Sequence, residues 1–401
     1  MQNSFDKFDK IVERKNTLSV KWDNCQSIFN NDDILPMWVA DSDWKTVPEV
    51  IEKLKSRAEH GVFGYCYADD KIKESIINWI ERKYNWKIKK EWIVFDTGVV
   101  PALNFTLNMI TDPSDGVIIQ PPVYRPFFEA VDNNHCELIK NNLIYKNGKY
   151  EMNFNNLQKI IDDYKNNNKT VKAVILCSPH NPVGRVWNKN EINKLIKIAE
   201  KENIYILSDE IHCDLTYPGI KHFPTALIGE NYREKIITYM APSKTFNIAG
   251  LHTSYTIITN KKLRDKYTDI KHGFSSGNSP FGLDALKTAY NKGDNWLNNQ
   301  QHYLKGNLDY TADYLKKEIP EIKLIYPEGT YLLWLDCRDL GFENNENLID
   351  FFNNKAEVGL NPGIWFGESG SGFMRMNIAC PRSILKKGLD RINKAVKKIR
   401  G

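Results

Sequence analysis

Four short apolar runs constrain the fold of this chain more than any other feature. "DGVIIQPP" (115–122), "VKAVILCSP" (171–179), "IYILSDE" (204–210) and "KIITYM" (235–240) are of strand length and rich in Ile and Val. Each is closed by proline or by polar residues. Near-continuous apolar runs suit strands buried on both faces, as in a parallel sheet covered by helices. Between two of them, "NKNEINKLIKIAEKEN" (188–203) predicts a helix. Asn188 is its candidate N-cap, with Glu191 three residues on, and Ile192, Leu195, Ile196 and Ala199 recur at helical spacing. Alternation of strand and helix predicts an α/β fold, a mainly parallel central sheet sandwiched by helices.

After residue 290 the pattern changes. Residues 295–319 read as one long helix, 322–338 as a hairpin and 382–399 as a last helix. These elements predict a smaller α+β domain made of residues 1–47 together with 289–401, beside a large domain of residues 48–288. "DDYKNNNKT" (162–170) and "ENNENL" (343–348) read as polar loops.

Composition removes several function classes. Lys and Arg number 55 against 50 Asp and Glu, interleaved without a long basic block, so charge gives no support to nucleic-acid or membrane-surface binding. Seven scattered cysteines without a C-x-x-C pair argue for a reducing compartment, the cytoplasm, and against a disulfide framework or structural zinc. The eight histidines show no metal-ligand spacing, so no metal is expected. The first residues have no apolar core of the kind a signal peptide needs, and no apolar run approaches the ~20 residues of a membrane span.

The unusual polar residues lie just after the apolar runs, where ligands bind in folds of this type. "FDTGVVPALNFTLNMI" (95–110) passes from a strand end through Gly98 into an apolar helix, whose N-terminus favours an anion. Tyr124 follows one strand and offers a flat stacking face. Asn181 stands between Pro179 and Pro182, which stiffen the backbone that carries its amide. Asp209 and Glu210 close a third strand, where an acid is costly unless exposed or paired. Lys244 follows the fourth strand in "APSKTFNIAG". A strand-end lysine is ordinarily solvated, and each signal alone is modest. Together they describe an anion cradle, a stacking aromatic, a fixed amide, an acid and a lysine. Pyridoxal phosphate, a flat phosphorylated aldehyde with a basic ring nitrogen, suits every part. His212, three residues after Asp209, is a candidate to orient that acid.

With these residues in view, the chain resembles the fold-type I pyridoxal-phosphate enzymes of the aminotransferase superfamily. More narrowly it is similar to the MalY/PatB-type cystathionine β-lyase, or cysteine C–S lyase, branch. The resemblance spans nearly the whole length and rests on six stretches in order: "LPMWVADSDW" (35–44), "HGVFGYCY" (60–67), "CSPHNPVGRVW" (177–187), "SDEIHCDL" (208–215), "APSKTFNIAGL" (241–251) and "GSGFMRMNIACPRS" (370–383).

The resemblance implies roles for particular residues. Lys244 is the Schiff-base lysine and general base, Asp209 the partner of the pyridinium nitrogen, and Asn181 the donor to the ring hydroxyl. Tyr124 stacks on the ring. Gly98, Val99 and Val100 supply backbone N–H groups to the phosphate, with Ser243 adding a hydroxyl and His212 lying beside the cofactor. Arg375 grips the substrate α-carboxylate, with Asn181 and Ala40 also on the substrate side. Tyr65 reaches the phosphate of a neighbouring subunit, which makes a homodimer the expected unit. Aminotransferases typically carry a serine and an arginine where this chain has Ala241 and His252. That departure favours the lyase branch and leaves part of the phosphate charge without an assigned partner. The expected activity is β-elimination from L-cystathionine or a related cysteine S-conjugate. The alternative is an aminotransferase of broad or aromatic specificity. A cofactor-binding DNA regulator is disfavoured, because only about 45 residues precede the fold, too few for a winged helix and linker.

Overall fold

A computed structural model describes residues 6–274 and 277–400. The central sheet has seven strands, β1 (Ile93–Asp96), β2 (Gly116–Ile119), β3 (Glu137–Lys140), β4 (Val171–Cys177), β5 (Tyr205–Asp209), β6 (Ile236–Met240) and β7 (Ser254–Ile257). Their spatial order is β1-β7-β6-β5-β4-β2-β3. All neighbours from β3 to β6 pair in parallel, and β7 alone runs antiparallel to both of its neighbours. The four apolar runs of the sequence are β2, β4, β5 and β6, so the mainly parallel α/β sheet is as expected. The short β3 and the antiparallel β7 were not among the expected strands. "SYTI" alternates polar and apolar residues too briefly to stand out.

Register decides where the strand ends fall. Cys177 at the end of β4 lies opposite Asp209 at the end of β5, and Asp209 lies opposite Tyr239 of β6. The three carboxyl ends are therefore flush. Because β7 is reversed, its first residue, Ser254, pairs with Asp96 at the end of β1. The start of one strand thus joins the ends of the others along one edge.

Helices cover the sheet. Lys189–Glu202 has the expected start, with the Asn188 side chain accepting from the backbone of Glu191 and the Glu191 carboxylate accepting from the Asn188 backbone. Such a cap contributes about 1 kcal/mol. Its buried residues are the predicted Ile192, Leu195, Ile196 and Ala199. Val99–Ile110 buries Val99, Ala102, Leu103 and Leu107 against the sheet.

A second, antiparallel sheet has four strands, β8 (Lys323–Ile325), β9 (Leu332–Asp336), β10 (Asn361–Pro362) and β11 (Phe373–Asn377), in the order β8-β9-β11-β10. It is accompanied by the long helices Asp294–Glu318 and Arg382–Arg400. From the N-terminal segment, Leu35–Pro36 pairs in parallel with Val358–Gly359.

Two loop expectations are corrected. The helix Phe154–Asn166 runs through the first half of "DDYKNNNKT", because Leu157 and Ile161, four apart, bury on one face and carry the polar residues with them. Within "ENNENL" the helix Asn345–Asp350 begins, since Asn344 caps it by accepting from the Asn347 N–H and Leu348 is buried. In both places asparagines that suggest a loop serve a helix. All seven cysteines are free, and no described helix is long and apolar enough to cross a membrane.

Candidate active site

Along the flush edge lies a cavity of about 470 Å³. Thr97, Gly98, Val99 and Val100 enter it from the β1 end, Tyr124 from beyond β2, and Cys177 and Asn181 from beyond β4. Asp209 ends β5 and Ile211 and His212 follow it, Ala241, Ser243 and Lys244 follow β6, and His252 and Thr253 lead into Ser254, the first residue of β7. Ala40 closes it from the N-terminal segment. Most residues singled out from sequence therefore share one cavity. Arg375 and Tyr65 lie outside its lining. Arg375, on β11, reaches the cavity through Asn181, whose Oδ1 accepts from its Nη1 at 2.9 Å. Tyr65 is fully exposed on this single chain.

Adjacent acids take opposite sides of the chain. Glu210 is buried and fully occupied: it accepts from Ser208 Oγ at 2.8 Å and the Thr225 N–H at 2.9 Å, and meets His222 Nε2 at 2.8 Å. Asp209 faces the cavity with one hydrogen bond, from the Ile211 N–H at 3.0 Å. Burial pushes the Asp209 carboxyl up to about 7, against the opposing effect of the Ile211 amide, with Glu210 raising it and Lys244 lowering it. An acid in this state offers a hydrogen bond or a charge to whatever enters.

This shift has a consequence for the cofactor-free protein. The unfolded carboxyl titrates near 3.8 and the folded one near 7, so between these values the folded state binds the proton more tightly. The favourable contribution is complete below about 4 and is lost as pH rises to about 7, a total of about 4 kcal/mol for this group. Urea denaturation of cofactor-free protein at about pH 5 and about pH 8 checks it. The loss of stability should be clearly smaller in Asp209→Asn. An equal loss in the variant would trace the dependence to other groups.

Lys244 Nζ donates to the Ala40 carbonyl at 2.8 Å. Burial lowers its pKa, with Asp41 and Asp209 opposing and Arg375 adding to the shift, which moves the amine toward its neutral, nucleophilic form. Arg375 also donates from Nη2 to the Trp38 carbonyl at 2.9 Å and to Asn361 Oδ1 at 2.5 Å, and its Nε is buried without a partner. Burial pushes its pKa down to about 10, so it remains a cation at neutral pH.

His212 does not orient Asp209. No hydrogen bond joins them among the described residues; the ring stands edge-on to Tyr331, its centroid 6.2 Å away. Burial holds the imidazole near 3, helped by Lys244 and Arg375, and its Nδ1 has no partner. It is a neutral wall of the cavity.

Sequence reasoning missed Thr97, Thr253 and Ser254, and treated His252 as a loss. Ser254 Oγ is buried without a hydrogen-bond partner among the described residues. The signal in the sequence is the run "HTS" (252–254), which opens a strand where the other polar clusters follow one. Also missed was the grip on residues 38–44. Asn377 Nδ2 donates to the Val39 and Asp41 carbonyls, each at 2.6 Å, Tyr331 OH to Ala40 at 2.9 Å, and Asn247 Nδ2 to Ser42 and Trp44 at 2.9 and 2.8 Å. The segment that presents carbonyls to Lys244 and Arg375 is thus fixed from several elements.

A mainly parallel sheet with a lysine, an acid and hydroxyls at its carboxyl edge defines a class, and the sequence comparison agrees: the chain belongs to the aminotransferase class I and II family, which matches residues 38–392. Among particular proteins, it is 38% identical over 390 residues to the cystathionine β-lyase PatB of Bacillus subtilis, covering 97% of this chain and 99% of PatB. It is similar in structure to cystalysin of Treponema denticola, a protein containing pyridoxal 5'-phosphate, with TM-score 0.93, 38% identity and coverage of 98% and 99%. A pyridoxal-phosphate-bound C–S lyase of Staphylococcus hominis, complexed with L-cycloserine, gives TM-score 0.91, 34% identity and coverage of 97% and 98%.

Proposed function

We propose that this chain is a pyridoxal-phosphate-dependent C–S lyase that acts on L-cystathionine or a related cysteine S-conjugate, giving a thiol, pyruvate and ammonia. The observation that carries this reading is the meeting of Lys244 and Asp209 in one cavity with an Arg375–Asn181 pair beside it. The residues present fit the cofactor. The N–H groups of Val99 and Val100 have no intrahelical acceptor, since the first helical bond runs from Ala102 to Gly98. Together with the unpartnered Ser254 hydroxyl, Ser243 and His252, they suit a phosphate. Tyr124 offers a face to the ring, and Asn181 and Asp209 offer polar atoms to its edge.

Bound, pyridoxal phosphate would supply an electron sink for the pair left on Cα when its proton is removed. Asp209 would hold a proton at the ring nitrogen and so keep that sink effective. Arg375 binds the α-carboxylate, exchanging internal carbonyl partners for two parallel N–H bonds. The Lys244 amine, which burial shifts toward its neutral form, would take the Cα proton. A thiolate at Cβ is the leaving group that such a pair would expel.

The test is a product assay on purified protein supplied with the cofactor and L-cystathionine. Pyruvate and thiol in equal amounts are expected. Glutamate from an amino acid and 2-oxoglutarate, without thiol release, would replace the lyase reading with an aminotransferase.

The same reading includes a division into residues 48–288 and residues 1–47 with 289–401, a cytoplasmic location and a homodimer with shared sites. Supporting the dimer, Val62, Phe63, Tyr65 and Tyr67 are exposed together on this chain. Mixing an inactive Tyr65 variant with an inactive Lys244 variant should restore up to about a quarter of the activity, because random pairing places one intact site in half of the dimers. A mixture as inactive as its parts would remove Tyr65 from the neighbour's site.

A further inference from the structure

On the other side of the 209–214 segment lies a second cavity of about 630 Å³, which shares no lining residue with the first. Phe223, Leu227, Ile228 and Leu297 give it an apolar wall, and Arg82, Lys83, Lys189 and Lys221 give it a cationic one. Among the described residues Asp214 is the only carboxylate in the lining, and its oxygens are taken. Oδ1 accepts from Trp79 Nε1 at 3.2 Å and from Tyr84 OH, and Oδ2 from Thr245 Oγ1 at 2.8 Å.

Two of the cations are also spoken for, because Arg82 and Lys83 both pair with Asp294, at 3.0 and 2.6 Å. Lys189 and Lys221 form no ion pair among the described residues; the Lys189 ammonium lies 4.8 Å from the centre of the Phe223 ring. His222, whose Nε2 is engaged by Glu210, is a buried part of the wall, and both lysines are exposed side chains of the lining.

We propose that this cavity binds a small amphipathic organic anion, a carboxylate on an apolar body. The carboxylate meets Lys189 and Lys221, and the body lies on Phe223 and Leu227. A highly charged ligand is disfavoured, since only two of the four cations are free of a carboxylate partner and much of the wall is apolar. The ligand would sit one chain thickness from Asp209, with Asp214 and Thr245 connecting its cavity to the residue beside Lys244.

Phenylbutyrate is a suitable probe, titrated calorimetrically into the protein with and without pyridoxal phosphate. One molecule per chain should bind in both forms. The double variant Lys189→Glu/Lys221→Glu should bind at least tenfold more weakly while keeping its lyase turnover, and the uncharged phenylbutanol should show a similar loss against the unaltered protein. Leu227→Trp, which fills the cavity, should abolish binding with its melting temperature retained. Absence of heat with the unaltered protein, equal affinity in the charge variant, or loss of binding when a substrate analogue occupies the first cavity would each overturn the proposal.

Discussion

Lys244→Ala should lower pyruvate formation from L-cystathionine by about 10⁴-fold or more, with the fold intact. In the proposed reaction the amine would do two things at one place, hold the cofactor aldehyde and carry the Cα proton. Removal of a positioned general base alone costs about 10²–10⁴-fold, and loss of the covalent anchor adds to it. The structural cost is small by comparison. Nζ makes one hydrogen bond, to the Ala40 carbonyl, and a bond of that kind contributes about 1 kcal/mol net. Steady-state assay beside a thermal melt separates the two effects. A variant that melts normally and keeps activity within tenfold of the parent would remove Lys244 from the centre of the chemistry.

The second large effect is expected on stability, at Asp43→Ala. Lys21 is buried at 1% exposure, and its Nζ lies 2.8 Å from Asp43 Oδ2. Asp43 Oδ1 also accepts from Arg14 Nη1 at 2.7 Å and Trp22 Nε1 at 2.9 Å. Without Asp43, the nearest carboxylate to Lys21 is Asp41, 3.7 Å away and already held by Arg14. Leaving a buried charge so poorly compensated costs about 3–5 kcal/mol. Chemical denaturation at neutral pH reads this directly, and a loss below about 1 kcal/mol would contradict it. Replacing both partners, Lys21→Met with Asp43→Leu, should recover much of the loss, because no unpaired charge remains.

The pair also carries a pH signature. Burial raises the Asp43 carboxyl, but Lys21, Trp22 and Arg14 outweigh it and hold the group below the usual carboxylate range. A depressed acid contributes stability that is complete above its ordinary value and is lost as pH falls through the lower, folded one. Asp43→Ala should therefore flatten the acid limb of the stability profile. Because Asp43 belongs to the segment whose Trp38 and Ala40 carbonyls face Arg375 and Lys244, the variant should lower turnover as well.

Much of this protein is determined by local chemistry and so is legible in the sequence. Four Ile- and Val-rich runs become β2, β4, β5 and β6 because apolar β-branched stretches of that length have few other ways to bury themselves. Asn188 and Glu191 start their helix through bonds that span three residues. Asp209 ends its strand and Lys244, Asn181 and Tyr124 lie a few residues past theirs, and that position alone brings them to one edge of a parallel sheet.

Tertiary structure decided what local pattern leaves undetermined. Strands buried on both faces show no amphipathic phase, so the strand pattern by itself, apart from the family resemblance, does not say whether Asp209 or Glu210 faces the cavity. The answer came from Ser208, His222 and Thr225, which gather around Glu210 from separate elements. The reversal of β7, which brings His252 and Ser254 to the site, is a matter of which strands become neighbours and in which sense. The grip of Asn377, Tyr331 and Asn247 on residues 38–44 joins groups hundreds of positions apart. Residue type and spacing specify elements and strand ends; phase, direction and long-range pairing exist only once separate elements pack against one another.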